Sequence, residues 1–342
     1  MGLATAPTTM LTPTQERLYM SLAAAALQSY PIVPTTTQFI QHNAGIVFRV
    51  EAQDQHAYVL KLHKRVGMGD DPSAAQLEAG LEWLAACAQH SDIVLQVPVR
   101  TRAGTFVAQL HDPAVAQPIA CTLQTWIAGE PPHADFTDRQ AYQLGVLLAR
   151  LHTCSRSYPL SPNVPAMRHD SHELLRNVQV LRSMLPPELL STQDFETILA
   201  TQERILAHMD ALGSGTAVWG PVHGDLHYDN VVCTPDAVYP IDFTGLRLGY
   251  YLYDMAVTLY HCFHQEPAFR EAFFAGYRQE GTLPPAYQPV LECFIAYAAI
   301  DNLAWNSTIP EQIPSALFQK NLRQLVLGYC LPIIRGEGFL FR

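Results

Sequence analysis

Short runs of alternating apolar and polar residues follow one another between residues 31 and 128. They are rich in β-branched and aromatic side chains, which is typical of half-buried strands, and they read IVFRVEA, HAYVLKLH, LQVPV, TFVAQLH and PIACTLQTWI. One helical segment interrupts them at residues 73–89, with apolar positions at helical spacing: Leu77, Leu81, Leu84 and Ala88. The pattern predicts a small antiparallel β lobe that contains one helix.

Helical periodicity dominates the chain on either side of these strands. Capping boxes at Thr12 with Gln15, and at Thr137 with Gln140, predict helix starts, and the first helix should end near residue 30. Apolar residues then recur at helical spacing through HELLRNVQVLRSML, TQDFETILATQERILAHMDAL and most of residues 251–335. Two short strands are expected at residues 231–233 and 237–241.

These patterns define an expected organisation for the whole chain. We expect an α+β, two-lobe architecture with an N-terminal helical extension at residues 1–30 and a small β lobe at residues 31–128. The remaining residues, 129–342, should form a larger and mainly helical lobe.

The amino-acid composition excludes several classes of function but adds little about the fold. The 342 residues carry a net charge of -10 and no run of Lys or Arg, so nucleic-acid binding through a basic surface is not expected. Neither a secretory signal nor an apolar run of about 18 residues is present, so no membrane span is expected. The seven cysteines are scattered without a Cys-x-x-Cys motif, which favours buried free thiols in a reducing cytoplasm. The oligomeric state has no signature in the sequence.

The densest cluster of reactive side chains lies in PVHGDLHYDNVVCTPDAVYPIDFTG, residues 221–245. Asp225 follows His-Gly, and Asn230 comes after four more residues, which is the spacing of a kinase catalytic loop. In such a loop the carboxylate orients a hydroxyl group and accepts its proton, and the amide oxygen ligates Mg²⁺ on the nucleotide phosphates. Asp242 follows in Ile-Asp-Phe and would supply a second oxygen ligand to the same metal.

Two charged residues in the predicted β lobe fit the same chemistry. Lys61 lies within the apolar strand YVLKLH, where a buried ammonium needs a counter-charge or a phosphate. Glu78 lies on the following helix, from which its carboxylate could pair with Lys61 and aim the ammonium at the nucleotide phosphates. Each residue alone is weak evidence, but the order of these features along the chain argues against coincidence.

The motifs VHGDLHYDNVV and YPIDFTGLRLGYYLYDMAVTL resemble the aminoglycoside phosphotransferase and choline kinase group of small-molecule kinases, which have a protein-kinase-like fold. The resemblance extends through YVLKLH, QLEAGLEWL, LQTWIAGE and LGVLLARLH, and so covers most of the chain. It implies that Asp225 is the catalytic base, that Asn230 and Asp242 bind Mg²⁺, and that Lys61, paired with Glu78, binds the phosphates of ATP.

The resemblance also implies roles for residues whose spacing carries no signal. Gly45 should lie in the turn that covers the phosphates, within QHNAGIVF, and Thr125 among the residues that meet adenine through backbone hydrogen bonds. Asp254 should be a structural acid that braces the catalytic loop. His223 is expected to be a structural histidine. One departure is Thr244, which stands where many relatives carry a second acid or a glycine.

No spacing of residues in the sequence indicates which molecule accepts the phosphate. His227 lies inside the loop, and we expect it to be solvent-exposed, although it could contact substrate. Asp301 is a polar residue on an otherwise apolar helix, and the ring of Trp305 could bind a cation. These three residues are candidates for contact with the acceptor.

The sequence therefore predicts an ATP- and Mg²⁺-dependent phosphotransferase that moves the γ-phosphate to a hydroxyl group of a small molecule. An aminoglycoside, an amino alcohol, homoserine or a sugar would all suit such a site. A catalytically inactive kinase-like protein that only binds nucleotide would keep the same fold and stays an alternative. A metallophosphoesterase is more remote: Asp225 and His227 form a pair that dinuclear sites use, but the further Gly-Asp and Asn-His-Asp motifs are missing.

Overall fold

Among the described residues, a five-stranded antiparallel sheet and two helices form the smaller lobe. In the computed structural model, which describes residues 12–42, 45–64, 72–111, 118–132, 136–158, 163–243, 245–262 and 267–341, the strand order is β1-β2-β3-β5-β4. The elements in chain order are α1 (Pro13–Leu27), β1 (Pro34–His42), β2 (Ile46–Ala52), β3 (Ala57–His63), α2 (Ala74–His90), β4 (Val107–Leu110) and β5 (Ile119–Thr125).

The small lobe buries one face of this sheet against α1. Residues of β2 and β3 alternate between the two faces, and the buried set meets the apolar side of α1 in one cluster, which includes Leu22, Leu27, Ile46, Phe48 and Leu60. Lys61 lies on the central strand β3, opposite Val47 of β2 and Thr122 of β5, and its residue surface is only 8% exposed. A charge therefore sits in the middle of the sheet.

The larger lobe is mainly helical. Its helices are α3 (Asp138–Ser157), α4 (Ser171–Met184), α5 (Thr192–Leu212), α6 (Tyr251–His261), α7 (Pro267–Glu280), α8 (Tyr287–Ser307), α9 (Ala316–Arg323) and α10 (Leu331–Arg335), with a π-helical turn at Gln324–Cys330. Its short strands are β6 (Met167–His169), β7 (Trp219–Val222), β8 (Val231–Cys233), β9 (Val238–Pro240) and β10 (Arg247–Tyr250). β10 lies between β6 and β7, and β8 pairs with β9.

The predicted two-lobe α+β fold is confirmed, and the helix starts agree with the capping boxes at Thr12 and Thr137. One predicted strand is wrong. LQVPV makes a single bridge, between Pro98 and Gln124, because proline has no N–H to continue a ladder. The small sheet of β6, β7 and β10 was not predicted, since its strands are only three or four residues long.

The expectation that all the cysteines are free thiols is wrong for two of them. Cys87 of α2 and Cys154 of α3 form a disulfide, with their Cα atoms 5.9 Å apart. No sequence pattern indicates this bond, because the two residues are separated by 67 positions and only the packing of α2 on α3 brings them together. The other five are free and buried: Cys121, Cys233, Cys262, Cys293 and Cys330. Within the described residues, no helix is long and apolar enough to cross a membrane.

Helices α3 and α7 pack with their backbones in contact. A Cβ atom on Gly145 of α3 would overlap the carbonyl oxygen of Phe273, and one on Gly276 of α7 would overlap the carbonyl oxygen of Tyr142. Only glycine permits this approach, so these two positions set the distance between the helices.

Gly276→Ala should therefore destabilise the protein by about 2–4 kcal/mol, because the added methyl group forces the two helices apart. Urea denaturation would measure the free energy of unfolding. Gly215→Ala is the matched control, since a Cβ there meets no atom within 4 Å. Equal stability of the two variants would contradict the packing described for α3 and α7.

Candidate active site

The loop after β7 brings the predicted catalytic and metal-binding residues together. The side-chain amide nitrogen of Asn230 donates to the backbone oxygen of Asp225 at 2.8 Å and to its carboxylate Oδ2 at 3.1 Å. The amide oxygen of Asn230 therefore faces away from Asp225. The backbone N–H of Ile241 donates to the backbone oxygen of Asn230 at 2.9 Å, which places Asp242 directly beside this loop.

Asp242 is held in an unusual backbone conformation. Its φ is +66°, a left-handed value that is rare for a residue with a side chain. Its backbone N–H donates to the side-chain oxygen of Gln96 at 3.0 Å, and Gln96 is itself buried. Gln96 thus stabilises a strained residue at the centre of the site. Thr244, two residues after Asp242, lies outside the described residues, so its departure from the family pattern has no structural account.

Lys61 pairs with Asp242, not with Glu78 as expected. The ammonium lies 2.5 Å from Oδ1 of Asp242, across the contact between the two lobes. The Glu78 carboxylate instead accepts the backbone N–H groups of Phe106 and Val107 at 2.8–2.9 Å, and no Lys61–Glu78 ion pair is found among the described residues. The Glu78 carboxylate therefore satisfies two backbone N–H groups where β4 begins, and buried N–H groups of this kind need an acceptor.

Gly45 lies against the side chain of Lys61. A Cβ atom at this position would come within 2.9 Å of Cε of Lys61. The absence of a side chain therefore lets the backbone at Gly45 approach the Lys61 side chain, and the place of Gly45 in a phosphate-covering turn stays a prediction.

Thr125 has fewer groups available to bind nucleotide than expected. Its backbone N–H donates to the Val97 carbonyl at 2.9 Å, and its hydroxyl accepts from the Val97 N–H at 2.8 Å. Since both of these groups bind the segment before Pro98, Thr125 cannot offer its N–H to adenine while they persist. Any backbone contact to the base would come from its neighbours in the connection between the lobes.

Asp254 of α6 braces the catalytic loop from below. Its carboxylate is completely buried and accepts the backbone N–H groups of His223 at 3.2 Å and Gly224 at 2.7 Å, and it lies 3.1 Å from Nε2 of His152. Burial alone would raise the pKa of Asp254, but the hydrogen bonds from His152 and the loop hold this pKa below its ordinary value. The charged form is therefore the one that the fold stabilises.

His223 is buried beneath the same loop. Its Nε2 lies 3.0 Å from the carbonyl oxygen of Ile241, and its ring packs on Phe243 with centroids 4.5 Å apart. The imidazole joins the loop that carries Asp225 to the segment that carries Asp242. It does not point at a reacting group, which agrees with a structural role.

His227 is not the exposed side chain that we expected. It is 15% exposed, and its Nε2 lies 3.4 Å from Oδ1 of Asp225 while its Nδ1 accepts the N–H of Asp229 at 3.3 Å. The ring stacks on His261 with centroids 4.6 Å apart. Burial lowers the pKa of His261 to about 4, so that ring is neutral near pH 7 and stacks without adding charge.

The environment of Asp225 keeps it ionised. Partial removal from water raises the pKa of this carboxyl, but the hydrogen bond and charge of His227, with the nearby Arg247, lower it more, and the net pKa lies well below the ordinary range. Arg247 also donates to the carbonyl oxygen of Gly224 at 3.0 Å. Neither Arg247 nor Gln96 was identified from the sequence, because no spacing relates them to the loop they support.

The candidate acceptor residues have different environments. Asp301 is 16% exposed and accepts hydrogen bonds from Asn177 at 2.6 Å and from Tyr253 at 2.5 Å, with Nδ1 of His169 at 3.4 Å. Trp305, one turn further along α8, is 50% exposed and faces solvent. Asp301 is thus built into a polar cluster, whereas Trp305 is an open surface residue.

Both the sequence and the fold are similar to those of known proteins. The sequence model of the phosphotransferase enzyme family matches residues 37–290. Amicoumacin kinase of Bacillus subtilis (strain 168) is 22% identical over 285 residues, which are 80% of this chain and 80% of that protein.

Solved structures of similar proteins share the fold. An amicoumacin kinase in complex with AMP-PNP, Ca²⁺ and Ami superposes with a TM-score of 0.74 at 16% identity, over 96% of this chain and 97% of that one. A microcompartment-associated aminopropanol kinase gives a TM-score of 0.73 at 22% identity, over 92% of this chain and 97% of that one. The fold and the site define a small-molecule kinase with a protein-kinase-like architecture. The chain belongs to the phosphotransferase enzyme family.

Asp254→Asn should lower the free energy of unfolding by about 3 kcal/mol, because the buried N–H groups of the loop lose a charged acceptor. The folded pKa of Asp254 is depressed, so its stabilisation is present at neutral pH and is lost as the pH falls below about 4. Chemical denaturation across this pH range should show that the difference in the free energy of unfolding between wild type and variant becomes smaller in acid. Asp210→Asn, an exposed change, is the control; a pH-independent difference would contradict the role given to the Asp254 charge.

Proposed function

We propose that this kinase transfers the γ-phosphate of ATP, with Mg²⁺, to the hydroxyl group of a small amine-bearing alcohol. One observation supports the proposal above all. The Asn230 side chain turns its nitrogen to Asp225 and its oxygen outward, and the Ile241–Asn230 backbone hydrogen bond sets Asp242 beside it. The loop after β7 and the neighbouring segment thus bring together a carboxylate for the acceptor, on Asp225, and two oxygen donors for a metal, on Asn230 and Asp242.

The residues fit a magnesium nucleotide. Mg²⁺ is usually held by one or two protein oxygens and completes its shell with phosphate and water oxygens, and Asn230 and Asp242 form such a pair. When bound, it would neutralise charge on the phosphates. Lys61 lies 2.5 Å from Asp242, so its ammonium is within reach of phosphates that the same carboxylate would help to hold.

Asp225 would act on the acceptor hydroxyl. Because its pKa is held well below the ordinary range, it is too weak a base to remove a proton from an alcohol before the reaction begins. Its carboxylate would accept a hydrogen bond from the hydroxyl, aim the oxygen at the γ-phosphorus and take up the proton late, which suits the loose transition state of phosphoryl transfer. His227 would hold the carboxylate in place through its Nε2–H.

An amine on the acceptor fits the charges around the loop. Asp225 and the exposed Asp229 leave the mouth of the site acidic, and Asp301 adds a carboxylate in the adjacent polar cluster. A positively charged substrate would be attracted by such a field. Among the similar proteins, the aminopropanol kinase is described as acting on an amino alcohol. We propose His227 and Asp301 as acceptor contacts, with Trp305 at the outer edge.

Phosphotransfer should be detected by ATP consumption over a panel of amino alcohols, aminoglycosides, homoserine and sugars. With the best acceptor, Asp225→Asn should lower kcat about a hundred- to ten-thousand-fold, because the asparagine cannot accept the proton. Asp229→Asn, a like change four residues away, should retain most of the turnover. Equal turnover of wild type and Asp225→Asn would refute the assignment.

Nucleotide binding can be separated from turnover by thermal unfolding. Mg²⁺ with a non-hydrolysable ATP analogue should raise the Tm of the wild type, and Asp242→Asn should lose most of this shift because it weakens the metal ligand. Asp236→Asn, an exposed change in the β8–β9 turn, should keep it. A Mg²⁺-dependent shift without turnover on any acceptor would favour the inactive nucleotide-binding alternative; no shift at all would exclude both.

A further inference from the structure

A cavity of about 400 Å³ lies beside the Cys87–Cys154 disulfide, and none of Asp225, Asn230 and Asp242 lines it. Its walls come from the end of α2, from α3 and from the end of α7, and they include Cys154 but not Cys87. Cys87 is fully buried, whereas Cys154 is half-buried. Because a cavity of this volume admits a small organic molecule, Cys154 is the sulfur that such a molecule can reach.

The cavity wall has charged groups near this sulfur. Arg150 lies one turn before Cys154 on α3, and it pairs with Glu280 of α7 at 2.9 Å. His90, at the end of α2, is exposed and also lines the cavity. The Arg150 guanidinium can attract an incoming thiolate or carboxylate, although its pairing with Glu280 and the presence of Asp92 in the same lining reduce this attraction.

On one side, the disulfide is attached to the helix that supports Asp242. The carbonyl oxygen of Gln76 in α2 accepts the N–H of Leu246 at 3.0 Å, and Trp83 packs edge-to-face on Phe243 with ring centroids 5.8 Å apart. A Cβ atom on Gly80 would overlap the backbone of Gly245. Helix α2 therefore lies directly on the segment that follows Asp242.

On the other side, the disulfide is attached to the helix that supports Asp225. His152, two residues before Cys154 on α3, hydrogen-bonds Asp254, and Asp254 holds the N–H of Gly224 at 2.7 Å. The S–S bond thus joins the two helices that position the two halves of the kinase site.

We propose that Cys154 is a thiol–disulfide exchange site for a small-molecule thiol, and that reduction of this disulfide loosens α2 and weakens phosphotransfer. The effect on phosphotransfer rests on the proposed function, whereas the exchange reaction and the loosening of α2 do not.

The exchange proceeds in two balanced steps. A thiolate attacks Sγ of Cys154 and forms a mixed disulfide, while the Cys87–Cys154 bond breaks and its electron pair leaves on Sγ of Cys87, which takes up a proton. A second thiol attacks the mixed disulfide and releases Cys154 as a thiol. Two small thiols are oxidised to one disulfide, and the protein disulfide is reduced to two thiols.

The exchange site is tested with glutathione on the oxidised, full-length protein. Acid quenching and peptide mass spectrometry should find the glutathione adduct on Cys154. Ser157→Phe, which fills the cavity, should slow adduct formation several-fold, and Ser183→Phe, on the exposed face of α4, should not. An adduct on Cys87 instead, or equal rates in the two variants, would overturn the proposed site.

Loosening of α2 is tested by hydrogen exchange, which needs no activity. Reduction with dithiothreitol should speed exchange in peptides that cover α2 and residues 241–246, while α8 stays unchanged. Cys154→Ser should behave like the reduced protein and not respond to reductant. Its Tm should fall by only about 3–6 °C, so it remains folded at 25 °C. Unchanged exchange in α2 and residues 241–246 would mean that the disulfide does not couple the two helices to the site.

Kinetics complete the test. Reduction should lower kcat/KM for ATP about fivefold or more, and Cys154→Ser should match the reduced enzyme. Equal kcat/KM in both redox states would refute the effect on phosphotransfer. Inactivity of the oxidised enzyme on every acceptor would instead count against the proposed function, and the adduct and hydrogen-exchange results would still decide the exchange site.

Discussion

The buried carboxylate of Asp254 is the interaction on which the rest of the site depends. It is removed from water inside the larger lobe and is satisfied by two loop N–H groups and by His152. An unpaired charge in that position would be very costly, so α3, α6 and the loop must be assembled together. Gly224, with a φ of +69°, lets the loop bend over this carboxylate, and Asp225 is presented as the next residue.

The second half of the site is positioned by the smaller lobe. Lys61 reaches across to Asp242, and α2 packs on the residues that follow it. The strain of the left-handed Asp242 is offset by the buried side chain of Gln96, which lies in the segment between α2 and β4. The groups that we propose for catalysis and metal binding therefore come from one lobe, but their geometry is set by contacts from both.

Local signals predicted the elements and the loop well, and they failed where partners were distant. The capping boxes and the Asp225–Asn230 spacing are properties of neighbouring residues, so they could be read from the chain. The Lys61–Glu78 pair was wrong because Glu78 is taken by the N–H groups of β4, and the free-thiol expectation failed because Cys87 and Cys154 meet only through helix packing. His227 looked exposed because its contact with His261 is 34 positions away in the sequence.

The sequence by itself determined which chemical groups stand in the loop, since hydroxyl activation and metal binding need particular residue types at short, local spacing. The sequence also determined the family, because those motifs occur in a particular order along the chain. Tertiary structure decided which groups pair with Lys61, how Asp225 keeps its charge, and which cysteines bond. These features depend on distances between residues far apart in the chain, and only the folded packing of the two lobes sets those distances.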